Sequence, residues 1–392
     1  MDAQDTSLNE AVLLFQKGEL DSAKRVAAQA ARQTAPNPLA FVVLGTIAVQ
    51  QSEFDAGKRH LRRALSLNPN LIGARLTLAA ALVTTEELNL AEEQYWTVLK
   101  LDPNNEQASS SLMEIAGRQR DLTTAARTLD RLSGLQPLNT AILVKAARIA
   151  NLQGNTEKAL AFLIRSRKIA PDDYPVLYAF GVLCLQMDLI KDATSALERA
   201  ARIRPDSVSA AYALASAKVA GSDLQSALEI YKRLIEADAG DARLQYAMGT
   251  VLFLLGESEP AAKYFLRSAE LDPQQVEPLY YLGLIADQME NRKEAIAKLE
   301  EVLKRIPDHG RAHLALAQIY GAQDDPDRAR REFEQAVRLM PESQKAHYQF
   351  GLLLNRLKEE AAAREQMGLA KRLREDRNAR VSWELAGPER EK

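Results

Sequence analysis

Small and large apolar residues recur along this chain in columns 34 positions apart. One column reads Ala23, Gly57, Ala91, Ala125, Ala159, Ala193, Ala227, Ala261, Ala295, Ala329 and Ala363. A second reads Ala11, Gly45, Ala79, Met113, Ala147, Gly181, Ala215, Gly249, Gly283, Ala317 and Gly351, small at every position but one. Four residues beyond the first column lie Leu61, Tyr95, Leu129, Leu163, Leu197, Tyr231, Phe265, Leu299, Phe333 and Met367. Within one period, residues 242–275, Met248, Gly249 and Leu252 share one helical face, and Ala261, Phe265 and Ser268-Ala269 share another. Each period therefore predicts two helices, with Gly249 facing Ala261 where the backbones come close. Gly256 suits the end of the first helix because it tolerates positive φ. Pro260 suits the first turn of the second. A third column, Pro69, Pro103, Pro137, Pro171, Pro205, Pro273, Pro307 and Pro341, ends the unit, since proline lacks a donor and disfavours α geometry before it. Of the 15 prolines in the chain, chance would put fewer than one in this column.

A period of this size marks a stacked helical repeat, a class that recognises partners rather than transforming substrates. The columns resemble those of the tetratricopeptide repeat family: Phe180-Gly181, Ala193, Leu197 and Pro205 carry the pattern, as do Leu282-Gly283, Ala295, Leu299 and Pro307. The resemblance covers residues 4–375 as eleven repeats, starting at Gln4, Pro38, Ile72, Glu106, Thr140, Tyr174, Val208, Ala242, Val276, Gly310 and Gln344. Residues 1–3 are left as an N-terminal extension, the last repeat as a polar cap, and residues 376–392 as a flexible tail. Trp383 in that tail either packs on the last helix or enters a groove. The resemblance implies an all-α fold, a right-handed superhelix of antiparallel helix pairs whose first helices line a concave groove and whose second helices form the convex side.

Two repeats depart from the pattern. The fourth has Ser109-Ser110-Ser111 in its first helix and Met113 in a small column, which lowers local helix stability. The seventh places Lys218 where Leu252 and Leu354 stand elsewhere, and ends in Ala239-Gly240 without proline. Lys218 is expected to pack its stem and extend its charge to solvent. Ala239-Gly240 is a candidate flexible joint.

In the family, the residue after the first-helix anchor points into the groove. That column reads Leu8, Val42, Leu76, Ser110, Val144, Tyr178, Tyr212, Tyr246, Tyr280, Leu314 and Tyr348. Val182, Leu185, Val219, Phe253 and Leu284 fall beside it at i+4 and i+7. Tyrosine combines a rigid apolar body with a polar tip, as binding hot spots require. Two readings stand: the Tyr178–Tyr280 stretch is a partner contact, or its members chiefly bury one another. Lys145 and Arg148 are candidates for a partner's acidic group, or they pair with Glu114.

Composition adds exclusions. A net charge of −2 over 392 residues supplies no field for nucleic acid or an anionic membrane. The basic clusters Lys58-Arg59-His60 and Lys371-Arg372-Arg374 are read as solvated surface. No apolar run approaches the roughly 18–20 residues that span a bilayer. The single cysteine, Cys184, is read as core filler rather than nucleophile. His313 and His347 share a column, but no third metal ligand is evident. No phosphate loop or catalytic triad appears, so no enzyme activity, cofactor, metal or small-molecule substrate is expected. The polar start, MDAQDTSLNE, lacks a secretory signal, which points to the cytoplasm unless a signal was trimmed.

The functional expectation is a non-catalytic scaffold binding a peptide or helical segment of a partner protein. Among related classes, the chaperone-adaptor clamp is missing, since Val42, Thr46 and Thr77 occupy its registers. A glycosyltransferase-type asparagine ladder is also missing: its column runs Asn9, Val43, Thr77, Ser111, Lys145, Ala179, Ala213, Ala247, Tyr281, Ala315 and Gln349. The alternatives are a substrate-recruiting subunit that acts with a separate enzyme, and a bacterial envelope assembly factor, to which the resemblance extends.

Overall fold

The 34-residue columns become helix pairs. A computed structural model describes residues 3–33, 36–118 and 122–386, and within these segments the side chains of residues 9–376. The described residues form helices and connecting turns, with no strand. The chain divides into two compact units, Met1–Asp206 and Ser207–Lys392. The first holds α1 (Ala3–Gln16), α2 (Leu20–Ala31), α3 (Pro38–Gln50), α4 (Phe54–Leu67), α5 (Ile72–Thr84), α6 (Leu88–Leu101), α7 (Glu106–Arg118), α8 (Leu122–Leu135), α9 (Thr140–Leu152), α10 (Thr156–Ile169), α11 (Tyr174–Gln186) and α12 (Ile190–Ile203). The second holds α13 (Val208–Ala220), α14 (Leu224–Ala237), α15 (Ala242–Leu254), α16 (Ser258–Leu271), α17 (Glu277–Gln288), α18 (Arg292–Arg305), α19 (Gly310–Ala322), α20 (Pro326–Leu339), α21 (Gln344–Arg356) and α22 (Glu360–Ala386).

Each pair closes on the small-residue columns. A methyl group added to Gly181 would meet the Leu197 Cγ at 2.6 Å, and one on Gly249 would meet the Phe265 ring at 2.9 Å. Ala193 and Ala261 opposite them are fully buried. The large column fills the space beside each crossing: Leu61, Leu129, Leu197, Phe265 and Leu299 are all 0% exposed. Met113, the one large residue in a small column, packs half-buried at the edge of the core built on Leu112 and Leu129. The prolines of the third column lie between the second helix of one pair and the first helix of the next.

Among the described residues, the turn inside a pair takes a left-handed residue. Gly18, Ser52, Glu86, Gly154, Asp188, Ser222, Gly256, Glu290, Asp324 and Lys358 stand 34 or 68 residues apart, with φ between 59° and 82°. Seven of these are not glycine and carry a cost that glycine avoids. Some helix starts are capped by side chains: Asp173 accepts from Val176 N, Ser207 from Ala210 N and Asn291 from Glu294 N.

Neighbouring pairs are stapled by charge. Lys58 on α4 reaches Glu87, which precedes α6, at 2.6 Å. Arg330 on α20 reaches Glu359, which precedes α22, at 2.7 Å. Lys24 and Glu53 hold the same relation at 3.6 Å. Each partner lies 29 residues on. This corrects the expectation for Lys58, which is 7% exposed and ion-paired rather than solvated. Its ammonium pKa is raised chiefly by the hydrogen bond to Glu87.

The irregular repeats are also resolved locally. Ser109 is buried, donates to Asn105 O at 2.9 Å and accepts from Gln136 at 2.7 Å, so its hydroxyl is satisfied inside α7. Lys218 pairs with Asp223 at 3.3 Å, at the start of α14. Ala239-Gly240 lies within the second unit and is tied down, because Gln245 Nε2 donates to Ala239 O and Gly240 N donates to Asp238 Oδ1, both at 2.9 Å. The helix α22 continues through Ala386. Residues 376–386 of the expected flexible tail, 376–392, are thus helical, while the Trp383 side chain and residues 387–392 lie outside the described residues, as do residues 1–2 of the expected N-terminal extension.

Two stability measurements check this account. Ala261→Leu places a large side chain at a closed crossing and is expected to cost about 1–3 kcal/mol in urea unfolding. Glu290→Gly relieves the left-handed turn and is expected to gain about 0.5–1 kcal/mol.

Candidate functional site

The expected groove column falls in both units, and each part stands on its own. In residues 207–392, Tyr212 and Val219 lie on α13, Tyr246 and Phe253 on α15, Tyr280 and Leu284 on α17, and Tyr348 on α21. Tyr212, Val219, Tyr246, Phe253, Tyr280 and Leu284 are half-buried and pack against the unit's core from the first-helix side. Tyr348 is 49% exposed.

These aromatic rings do not stack rung on rung. Tyr212 turns its edge to Tyr231 of α14, with centroids 5.7 Å apart, and the Tyr231 hydroxyl lies 3.0 Å from Ser216 Oγ. Tyr246, Phe253, Phe265 and Tyr280 converge on Tyr281, with centroids between 4.9 and 6.0 Å. Tyr281 lies nearly parallel to Phe265, at 8°. Tyr281 is therefore the hub of the cluster, a role the groove column does not reveal. Its signal was present, since it is the one aromatic in a column otherwise small or polar.

Arg311 on α19 caps the far end, its guanidinium 4.9 Å from the Tyr280 centroid and 2.7 Å from Glu277. His309 completes the corner: its Nδ1 accepts from Ala312 N at 3.0 Å, and its Nε2 lies 3.3 Å from Glu277. Hydrogen bonding to His309, then the charge of Arg311, hold the Glu277 carboxyl below its usual range against the effect of burial. Burial raises the phenol pKa of Tyr212, Tyr246 and Tyr280, and that of Tyr231 to about 12. The surface thus offers neutral hydroxyls on an apolar bed.

In residues 1–206, Lys145 and Arg148 lie on α9, and Tyr178, Val182 and Leu185 on α11. Val182, Leu185 and Tyr178 are half-buried, and Tyr178 stacks on Tyr174 at 5.9 Å and 7°. Lys145 extends toward α7, its amine 3.5 Å from where a Gly117 side chain would begin. Burial and then Arg148 lower its pKa, while Glu114 raises it. Among the described residues no ion pair joins Glu114 to Lys145 or Arg148, so the pairing weighed from the sequence does not form.

The remaining candidate chemistry is structural. Cys184 is fully buried, and burial pushes its thiol up to about 11, so it is a poor nucleophile. His313 and His347 do not meet at a metal. His313 Nδ1 lies 2.6 Å from Glu332 and its Nε2 2.9 Å from Pro307 O. His347 makes the parallel contacts to Gln366 at 2.7 Å and Pro341 O at 3.0 Å. Among the described residues no group of three or more His, Cys, Asp or Glu could hold a metal, and no helix is long and apolar enough to cross a membrane.

Both His313 partners are acceptors, so the ring must donate from both nitrogens, which only the imidazolium does. Burial opposes that charge, but the hydrogen bonds to Glu332 and Pro307 O and the Glu332 charge outweigh it, leaving the pKa above 6.5. The stabilisation is full below the ordinary histidine pKa and fades as pH rises through the raised one. The stability difference between wild type and Glu332→Gln is therefore expected to be largest near about pH 6 and to narrow toward about pH 8. The His313 titration midpoint, read by NMR, should fall in the variant.

Family models and one solved structure agree on the fold. A tetratricopeptide repeat profile matches residues 114–174, 178–242, 212–276 and 314–378, and a second of the same description matches residues 288–332. A chain of the APC/C hetero-tetramer Cut9–Hcn1 is 12% identical, covers 95% of this chain and 94% of its own, and has a TM-score of 0.52. Yeast Tom70 is 16% identical over 94% of this chain and 85% of its own, with a TM-score of 0.45. YrrB, described as a TPR protein with an unusual peptide-binding site, is 22% identical over 48% of this chain and 96% of its own, with a TM-score of 0.39. No curated protein sequence matches the chain.

Proposed function

The chain belongs to the tetratricopeptide repeat family, and we propose that it is a non-catalytic scaffold that holds an extended or helical segment of a partner protein against its first helices. The observation that carries this reading is the aromatic cluster around Tyr281. Tyr212, Tyr246 and Tyr280 are anchored by the core yet retain exposed surface, as does Phe253. A partner side chain meeting them loses little tyrosine entropy, because the rings are already fixed. Leu284 and Val219 extend the apolar bed, and Tyr348 with Leu352 (49% and 46% exposed) offers a further apolar contact on α21. In residues 1–206, Tyr178, Val182 and Leu185 supply an apolar stretch, and Lys145 and Arg148 supply cations for an acidic partner group. Chemistry, on this reading, resides in the proteins that the scaffold brings together, with no cofactor or small-molecule substrate of its own.

The experiment is affinity capture with wild type beside the double variant Tyr212→Ala, Tyr246→Ala. The variant is expected to keep its helical circular dichroism and to lose a captured partner, by at least about tenfold in affinity, as removal of hot-spot residues does. A folded variant that retains every partner would rule out this surface.

A further inference from the structure

A separate surface lies on the second helices α6 and α8. Its floor is Trp96, a core residue only 9% exposed. The column that contains it reads Ala28, Arg62, Asp130, Ile164 and Glu198 elsewhere in residues 1–206, so an indole is exceptional there. The ring is locked in place: Nε1 donates to Glu92 Oε1 at 3.1 Å, and Thr128 Oγ1 of α8 donates to the same oxygen at 2.8 Å. The Arg131 guanidinium lies over the ring, 3.9 Å from its centroid. Beside this pair is a hollow of about 440 Å³, lined by Trp96, Leu99, Lys100, Pro103, Arg131 and Leu135. That volume falls in the range of ligand pockets, about 300–1,000 Å³. At its edge Gly134 leaves the helix backbone uncovered, for a methyl group there would meet nothing within 4 Å. Leu135 remains 39% exposed.

The charge of this hollow is one-sided. Among the described residues neither Lys100 nor Arg131 has a carboxylate within ion-pair distance. Of the two acids on the same helix, Glu92 is engaged by Trp96 and Thr128, and neither it nor Glu93 lines the hollow. An indole stacked by arginine and flanked by a second cation favours an anion beside an apolar group. The site offers two cations, not a track, and the whole chain carries −2, which fits an acidic peptide better than a polyphosphate backbone.

We propose that this hollow is a second docking site, which takes an acidic amphipathic segment of a protein. An apolar side chain sits against Leu135 and the small exposed part of Trp96, and a carboxylate lies between Lys100 and Arg131. The site is independent of the first-helix surface and stands or falls apart from it.

The chain has two tryptophans, so Trp383→Phe leaves Trp96 as the one reporter in the full-length protein. The probe is a helix-forming peptide of about 15 residues, with leucines on one face and glutamates flanking them. Its counterparts are the same peptide with lysine for glutamate, and a short oligothymidylate. The acidic peptide is expected to change Trp96 emission saturably, while the lysine peptide does not. Lys100→Glu with Arg131→Glu should weaken the response at least about tenfold while the variant still melts cooperatively, and Lys100→Glu alone, which leaves the Arg131–Trp96 contact in place, should weaken it in the same direction. Tyr246→Ala should leave it intact. The proposal is overturned if the acidic peptide gives no saturable change, if charge reversal leaves the response unaltered, or if the oligothymidylate binds in preference.

Discussion

Everything in this protein depends on how closely two helices of a pair approach at their small-residue crossing. At Gly45 an added methyl group would lie 2.6 Å from the Leu61 Cγ, and at Gly283 it would lie 2.8 Å from that of Leu299. The space is fully taken. Glycine or alanine on one helix and alanine on the other let the large column fall into the gap, and each pair then presents the same faces in turn. A single pair is two thin helices with little interior. Its stability comes from the pair before and the pair after.

Neighbouring pairs are joined by two means. Apolar residues of one second helix pack against the next first helix, giving continuous cores built on Leu61 to Leu132 in one unit and Phe265 to Phe350 in the other. Polar contacts then set the spacing. The staple formed by Lys58 and Glu87 and by Arg330 and Glu359 takes the same two places in both units, although the lysine becomes an arginine that binds with two nitrogens. Isolated exposed ion pairs contribute little. Lys58 differs because its ammonium is buried and its stem packs, so removing Glu87 would leave a buried charge without its main partner.

In residues 207–392 the aromatic side chains of the first helices pack on the core and stay partly exposed at the same time. Tyr212, Tyr246 and Tyr280 pack against the core and remain partly exposed. Tyr281 makes that possible by filling the space between Phe265 and its neighbours, which fixes the rings of Tyr246 and Tyr280 before any partner arrives. Of the two readings posed by the sequence, mutual packing is present in the structure, and the surface left exposed is what the proposed function uses.

The helix pairs, the small crossings, the large column and the prolines between hairpins were legible in the chain, because each obeys a period that local sterics impose 34 residues apart. So were the left-handed turn at Gly256 and the burial of Cys184. What escaped depends on contacts between residues far apart in number and on rotamers that no column records. Lys58 reads as part of a basic surface cluster until Glu87, 29 positions on, is brought to it. His313 and His347 share a register yet turn to Glu332 and Gln366 on their own second helices. Tyr281 and Trp96 are exceptions to their columns, and a period conveys what repeats rather than what an exception touches. Periodicity fixes where backbones run; the pairing of charges and the aim of individual rings are settled only once the helices are packed together.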